Sequence, residues 1–344
     1  MTFGRIAFLG SGETSLAGGR IFETLARFIS DPLHLSILET PAGFELNASL
    51  VAGRVAEFLK TRLQNYRPTI DLIPARKQGT EFSPDNPDIL KPLLRANLIF
   101  MGPGSPTYTA RQLQGTLAWD IIRARHRQGA TLVFASAATI SVGAWALPVY
   151  EIYKVGEEVH TKLGLDLFAD FGLHLSFIPH WNNAEGGVDL DTSRCFMGIE
   201  RFDQWRSLLP DENIVIGLDE HSGIIMDLEK NTCVVHGVSS VSVLKKKSME
   251  IHPAGASFSL NELGDVNLPH SLEEGIRPEV WEMIRNAPSL DEDQPPAEAL
   301  DWLEQRKAAR ARKDFAESDR LRDKIFVLGW IVQDTKDGQK LVKQ

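Results

Sequence analysis

Ser136 stands where an apolar run gives way to a helix-like tail, in "VFASAATISVG" (Val133–Gly143). A serine hydroxyl attacks a carbonyl well only when a neighbouring base takes its proton and a third group orients that base. His180, in "SFIPHWNNAEGG", ends an apolar run and precedes a polar, glycine-bearing loop, so it can serve as the base. Glu151, in "LPVYEIYKVGEE", lies between the two in the chain and is the candidate acid, with Glu157 and Glu158 equally placed. A plainer reading stands beside this one. The small residues from Ala135 to Ala138 would let a helix pack closely on a sheet, and a histidine at a strand end is often only hydrogen-bonded structure.

Elements able to carry such a site alternate along the first half of the chain. "RIAFLG", "LSILET", "IDLIPA", "LIFMGP" and "TLVFAS" have strand length and composition. Between them, "GRIFETLARFI", "NASLVAGRVAEFLKTRL", "PDILKPLLR" and "TARQLQGTLAWDIIRARHRQ" repeat apolar residues at helical spacing. Strand–helix alternation predicts βαβ units and a parallel sheet with right-handed crossovers. In such a sheet ligands collect at the carboxyl ends of the strands. Three loops fall there: "GSGETS" (Gly10–Ser15), "GPGSPT" (Gly102–Thr107) and "ASAAT" (Ala135–Thr139), whose small residues let backbone N–H groups approach a ligand. Farther on, "LHLSFIPH", "NIVIGLD", "GIIMDLE", "TCVVHGV" and "SVSVLK" predict an antiparallel extension. "NAPSLDEDQPPAEA" (Asn286–Ala299) is acidic, proline-bearing and aperiodic, as a linker is. The chain is therefore divided into an α/β domain over 1–285, a linker over 286–298 and a module over 299–344.

Composition narrows the function. A net charge of −9 over 344 residues argues against a surface devoted to nucleic acid. From Ala297 to Gln344, however, Lys and Arg outnumber Asp and Glu 11 to 9, while the remainder carries 26 against 37. Two cysteines, Cys195 and Cys233, make no disulfide framework. The opening "MTFGRIAFLGSG" reads as a first strand and not a signal peptide, and no apolar run reaches membrane-spanning length. A cytoplasmic protein without membrane attachment is expected, and a homodimer is allowed. No metal-ligand cluster reads from the sequence, and "GSGETS" lacks the third glycine of a dinucleotide fingerprint, so no cofactor is expected.

The ordered set "FLGSGET", "LIFMGPGSPTYTARQL", "VFASAATISVGA", "FIPHW…SRCFMGIERF" and "IVIGLDEHSGIIM" resembles the peptidase S51 family over about residues 5–244. That family includes cyanophycinases and dipeptidase E. The resemblance implies a flavodoxin-like three-layer α/β sandwich of the class I glutamine amidotransferase type. It puts Ser136 on the nucleophile, His180 on the base, Glu151 on the acid, and the N–H groups of Gly104 and Ala137 on an oxyanion hole. Serine, acid and histidine then follow the order of strand–turn–helix hydrolases. It also puts Ser105 at a substrate-meeting position, with Arg194 available for a substrate carboxylate; a solvated helix face suits Arg201 better. The family's glycines on either side of the serine are Phe134 and Ala138 here, and Ser105 is followed by Pro106. The elbow must therefore form without those glycines, and neither β-aspartyl-arginine nor an aspartyl dipeptide transfers as substrate. The implied reaction is hydrolysis of a small peptide or isopeptide through an acyl-enzyme. A catalytically silent scaffold of the same fold is the alternative.

The segment "RKAARARKDFAESDRLRDKIFVLGWIVQDTKDG" is similar to the extreme C-terminal end of cysteinyl-tRNA synthetases, over about Leu300 to Gly338. The resemblance implies a helix pair and a hairpin turned at Asp337-Gly338, with tRNA or a synthetase as partner. Arg306, Lys307, Arg310 and Lys313, with Arg312, are the candidate phosphate contacts. An equal alternative is a helix pair whose charges only stabilise a docking module. The aminoacylation signatures of the synthetases do not occur, so tRNA charging is not expected.

Overall fold

The three-dimensional structure is a computed structural model that describes residues 2–29, 32–287, 295–335 and 338–343. The chain divides into two compact units, Met1–Arg285 and Asn286–Gln344. Most of the expected linker, residues 288–294, lies outside the described residues. The helix after it begins at Ala297, two residues before the expected start of the module.

In the first unit the five predicted parallel strands form: β1 (Ile6–Leu9), β2 (His34–Leu38), β3 (Thr69–Ile73), β4 (Leu98–Met101) and β5 (Thr131–Ala135). Short strands β6 (Trp145–Ala146) and β7 (Lys162–Leu163) pair with each other. Then come β8 (Leu175–Ile178), β9 (Ile214–Leu218), β10 (Ser222–Asp227), β11 (Thr232–Gly237), β12 (Ser240–Lys245), β13 (Ser248–Pro253) and β14 (Ser257–Ser259). The helices are α1 (Leu16–Ala26), α2 (Ala48–Arg62), α3 (Pro87–Leu90), α4 (Pro106–Leu113), α5 (Leu117–Arg127), α6 (Ala137–Ser141), α7 (Gly198–Ser207) and α8 (Pro278–Arg285).

The large sheet runs β14-β11-β10-β1-β5-β4-β2-β3, with β1 to β5 parallel and β10, β11 and β14 antiparallel. Successive strand residues face opposite sides. Ala7, Leu9, Val133 and Ala135 meet Phe22 and Leu25 of α1 and Leu59 of α2. Phe8 and Phe134 point the other way and join Phe168 and Phe177, with Phe8 and Phe177 stacked 4.0 Å apart. The result is a flavodoxin-like α/β fold. The antiparallel extension differs from expectation. Only β10 and β11 of the five predicted strands extend the large sheet, whereas β8, β9 and β12 form a second sheet of order β13-β12-β9-β8, in which β8 and β9 are parallel. A separate core of Trp181, Phe202, Trp205, Val215 and Leu244 holds α7 to this second sheet.

This topology determines which loops meet. Strands β4, β5 and β1 are neighbours. Their carboxyl ends therefore bring "GPGSPT", Ser136 and "GSGETS" side by side, with Ser136 on the middle strand.

The second unit holds helices α9 (Ala297–Ala311) and α10 (Phe315–Val327) and a hairpin of β15 (Trp330–Thr335) with β16 (Gly338–Lys343). The turn residue Asp337 lies outside the described residues. Ala299, Ala309, Leu321, Ile325 and Trp330 are buried within it. Asp314 caps α10 by accepting the Glu317 N–H, as the break between two helices requires. Among the described residues no helix is long and apolar enough to cross a membrane.

Candidate active site

Ser136 holds the backbone at φ 52°, ψ −118°, between the end of β5 and the start of α6. A non-glycine residue in that region costs roughly 1–3 kcal/mol and persists only where its surroundings enforce it. The enforcement is visible. Phe134 is locked into the aromatic cluster behind the turn, and the Ala138 N–H donates to Gly102 O. Neither Phe134 nor Ala138 has a positive φ, so the glycines missing on either side of the serine cost the turn nothing. The strain falls on the serine alone, whose side chain stays partly exposed.

His180 and Glu220 arrive from the second sheet. Each stands two residues beyond the end of a strand, His180 after β8 and Glu220 after β9. Those strands are parallel neighbours, with Ile178 opposite Gly217. Gly217 has to be glycine, because a Cβ there would lie 2.4 Å from the Trp181 ring. The His180 N–H donates to Gly10 O, which ties the second sheet to the end of β1. His180 Nε2 then lies 3.1 Å from Ser136 Oγ, and His180 Nδ1 lies 3.1 Å from Glu220 Oε1. A carboxylate can only accept. Nδ1 therefore carries the imidazole proton, and Nε2 presents its lone pair to the Ser136 hydroxyl.

Partial burial opposes the charge on Glu220. Hydrogen bonds from Asn183 and His180, with the nearby His180 and His221 charges, outweigh it and hold the carboxyl below its usual range. The adjacent Asp219 is spent elsewhere, accepting from the Ser239 and Ser240 hydroxyls.

Glu151, the expected acid, does not meet His180. Its Oε1 accepts from Thr107 Oγ1 at 2.5 Å, and Thr107 Oγ1 in turn lies 3.3 Å from Ser105 Oγ. Glu151 belongs to a wide turn of helix over Tyr150–Val155, which hands it to α4 and away from β8. Ser105 is likewise committed: it is buried, and its Oγ caps α4 by accepting the Tyr108 N–H. The Arg194 guanidinium lies 3.7 Å over the Trp181 ring and donates to Trp181 O, which makes it a brace for the segment carrying His180. Arg201 turns back on its own helix and donates to Met197 O.

Gly104 and Ala137, expected at an oxyanion hole, lie beside Ser136. Gly104 and Ala137 line a cavity of about 50 Å³ together with Ser136 and His180. Among the described residues neither backbone N–H donates to another group of the protein. Gly104 holds φ 150°, and a Cβ there would overlap Pro41 O at 1.8 Å, so this close approach admits only glycine. Cys195, Phe196 and Tyr150 close the same cavity. Arg194, Cys195 and Phe196 form three successive left-handed residues, pinned as the Cys195 N–H donates to His180 O and the Arg194 N–H to Trp181 O. Burial pushes the Cys195 thiol up to about 12, helped by the Glu220 charge, so it stays protonated and is no rival nucleophile. Tyr150 and Pro106 face this cavity, while the next residues, Glu151 and Thr107, line an open cleft of about 810 Å³. Arg111, Lys162 and Glu157 also face that cleft, giving it charges of both signs.

Glu220, the carboxylate that meets His180, was not singled out from sequence. Its signal lay in the chain: "GLDEHSG" puts a carboxylate just past a buried strand, as "FIPHW" puts the histidine just past its own. Elsewhere, on β13 and in the turn after β14, Glu250, His252 and Glu262 bring donor atoms within 4.8 Å of one another. Both carboxylates are exposed and engaged, Glu250 by Lys245 and Glu262 by the Ser259 cap.

In the second unit the predicted cationic stripe is broken. Arg306 is 3% exposed, and its Nη1 reaches Asp334 Oδ1 at 3.3 Å. Arg310 Nη1 reaches the other oxygen at the same distance. Lys307 pairs loosely with Glu304 at 3.7 Å, and Lys313 is exposed on a left-handed turn ending α9.

Comparison with known proteins separates the units in the same way. A peptidase from an acI-B1 Actinobacterium, solved by crystallography, superposes with a TM-score of 0.59 at 21% identity, covering 75% of this chain and 97% of its own. At that identity the likeness establishes the fold. Residues 293–340 match the family described as the cysteinyl-tRNA ligase anticodon binding domain. Within the cysteine–tRNA ligase of Methanosarcina mazei, 48 residues are 50% identical, and within that of Finegoldia magna 48 residues are 44% identical. These stretches make up 14% of this chain and 10% of each ligase, so the chain spans about a tenth of the length of the curated relatives it matches.

Proposed function

We propose that the first unit is a serine hydrolase that cleaves a small peptide or isopeptide through an acyl-enzyme on Ser136. The observation that carries this reading is the unbroken relay from Ser136 Oγ to His180 Nε2 and from His180 Nδ1 to Glu220, at 3.1 Å for each step, on a strained strand–helix turn. As Ser136 Oγ bonds to the carbonyl carbon, its proton passes to His180 Nε2, and Glu220 stabilises the resulting imidazolium. The Gly104 and Ala137 N–H groups receive the negative charge that develops on the carbonyl oxygen. When the tetrahedral adduct collapses, the C–N bond breaks and His180 returns the proton to the departing amine. Water then attacks the ester with His180 again as base, releasing the acid and restoring the Ser136 hydroxyl. The mixed charges of the neighbouring cleft suit the polar ends of a short peptide.

The test is labelling by a serine-directed fluorophosphonate, with the modified residue located by mass spectrometry. The expected result is one adduct on Ser136, absent from Ser136→Ala. Absence of any adduct in a folded wild-type chain would instead favour a silent scaffold.

The family match over residues 293–340 supports a second role: the C-terminal module associates with tRNA or with a synthetase. With Arg306 and Arg310 engaged by Asp334, contacts would fall to Lys307, Lys313 and Arg312. A gel shift of the full chain with tRNA, weakened in a Lys307→Ala/Lys313→Ala double variant, tests that role.

A further inference from the structure

We propose that Asn183 is a positioning residue that anchors Glu220 Oε1 against His180 Nδ1 and so fixes the histidine tautomer on which proton transfer from Ser136 depends. The catalytic consequence rests on the serine-hydrolase reading; the anchoring itself rests on geometry.

Asn183 is 3% exposed and follows His180 by three residues, with its own N–H donating to His180 O. Its side-chain amide is oriented without ambiguity. Oδ1 accepts the Glu185 N–H at 3.2 Å, and that backbone group can only donate. Nδ2 therefore faces Glu220 and donates to Oε1 at 3.0 Å, the same oxygen that receives His180 Nδ1–H. The neighbouring Asn182 fixes the other end of the residue, its Oδ1 accepting the Glu220 N–H at 2.8 Å. Two adjacent asparagines thus hold the backbone and the carboxylate of one acid. Without Nδ2, one lone-pair direction of Oε1 is left to solvent, and the carboxylate beside His180 loses the donor that fixes its position.

The charged groups that bear on this acid are few. His180 and His221 favour its ionised form, Asn183 adds the neutral donor, and the buried Cys195 thiol stays protonated. Asp219 turns away to Ser239 and Ser240. Losing the Asn183 donor leaves Glu220 a stronger base and a stronger acceptor. His180 then holds its proton to higher pH, and the acid limb of the labelling rate must move upward.

The experiment compares the full chain with Asn183→Asp and Asn183→Leu. The aspartate keeps the volume and the acceptor for Glu185 while replacing the donor by a second carboxylate. Two readouts are taken against pH: the rate of fluorophosphonate labelling of Ser136, and the His180 ring resonances in ¹⁵N-histidine-labelled protein. The expected result is a labelling rate reduced about ten- to a hundredfold at neutral pH, together with an upward shift of about half to one pH unit in both profiles, larger for the aspartate. A rate that falls equally at every pH, with the His180 titration unmoved, would overturn the proposal, since lost packing alone acts that way. Wild-type rates in both variants would overturn it as well. A His180 titration that shifts in a chain whose Ser136 never labels would uphold the anchoring and reject the hydrolase reading, so the two failures are separable.

Discussion

The rim of the large sheet and the C-terminal module differ in opposite senses. At the rim, likeness to a solved peptidase amounts to 21% identity, yet the chemistry is sharply organised. Ser136, His180, Cys195 and Phe196 all hold positive φ around one small cavity. In the module, 48 residues are 50% identical to a cysteine–tRNA ligase, yet two of the five cations singled out for RNA close on a single aspartate. The difference teaches that dense residue identity can record how a helix pair holds together. Concentrated backbone strain points more directly to a site, because strain survives only where surrounding structure enforces it.

The comparison breaks first at the base. His180→Ala is expected to slow Ser136 labelling about a thousandfold while leaving the melting temperature nearly unchanged. A variant that retained a tenth of the rate would mean the strained rim serves no relay. Next in size is the turn itself. Phe134→Gly restores a family glycine but is expected to destabilise the first unit by about 3–5 kcal/mol in urea unfolding, because the ring is core and the residue carries no strain to relieve. A neutral or stabilising result would put the strain on Phe134 and not on Ser136.

The module offers the matching test. Asp334→Asn leaves the buried Arg306 without its ionic partner and is expected to cost about 1–3 kcal/mol, discounted because Asp334 is half exposed. Amide exchange in α9 would read the loss. Unchanged protection there, with stronger tRNA binding, would show that Asp334 restrains a binding surface and does not hold the fold.

The smallest expected effect is a pH slope that only the first unit has. Burial drives His126 down to about 4, although its Gly4 hydrogen bond and the Asp170 charge oppose this. Its folded pKa lies below the unfolded value of 6.5, so its contribution is complete above pH 6.5 and is lost as pH falls from there toward 4. Stability should drop by at most about 1.4 kcal/mol per pH unit in that window. Urea midpoints of His126→Gln should lose that share of the slope, leaving the smaller part due to His34 and His236, which burial also pushes down. The second unit contains no histidine and should show none of this dependence.

Much of this was readable in the chain, for stated reasons. The five parallel strands announced themselves because buried runs such as "IAFL" and "TLVFA" have no polar face to confuse them. Ser136 and His180 were visible because each ends such a run. The carboxylate facing the imidazole was not, because strand order in the second sheet decides which one reaches it, and that order is a long-range property. Glu151 looked right in chain order, but its helical turn directs it to Thr107. Arg306 and Arg310 read as a free basic stripe because nothing local reveals a partner 28 and 24 residues away.

The relay turns on which carboxylate serves the imidazole, and one pair of variants decides it. Fluorophosphonate labelling of Ser136 at neutral pH should fall about a hundredfold or more in Glu220→Gln, where Nδ1 loses its anionic partner, and stay within about threefold of wild type in Glu151→Gln. The reverse pattern, with Glu151→Gln silent and Glu220→Gln labelling normally, would contradict it.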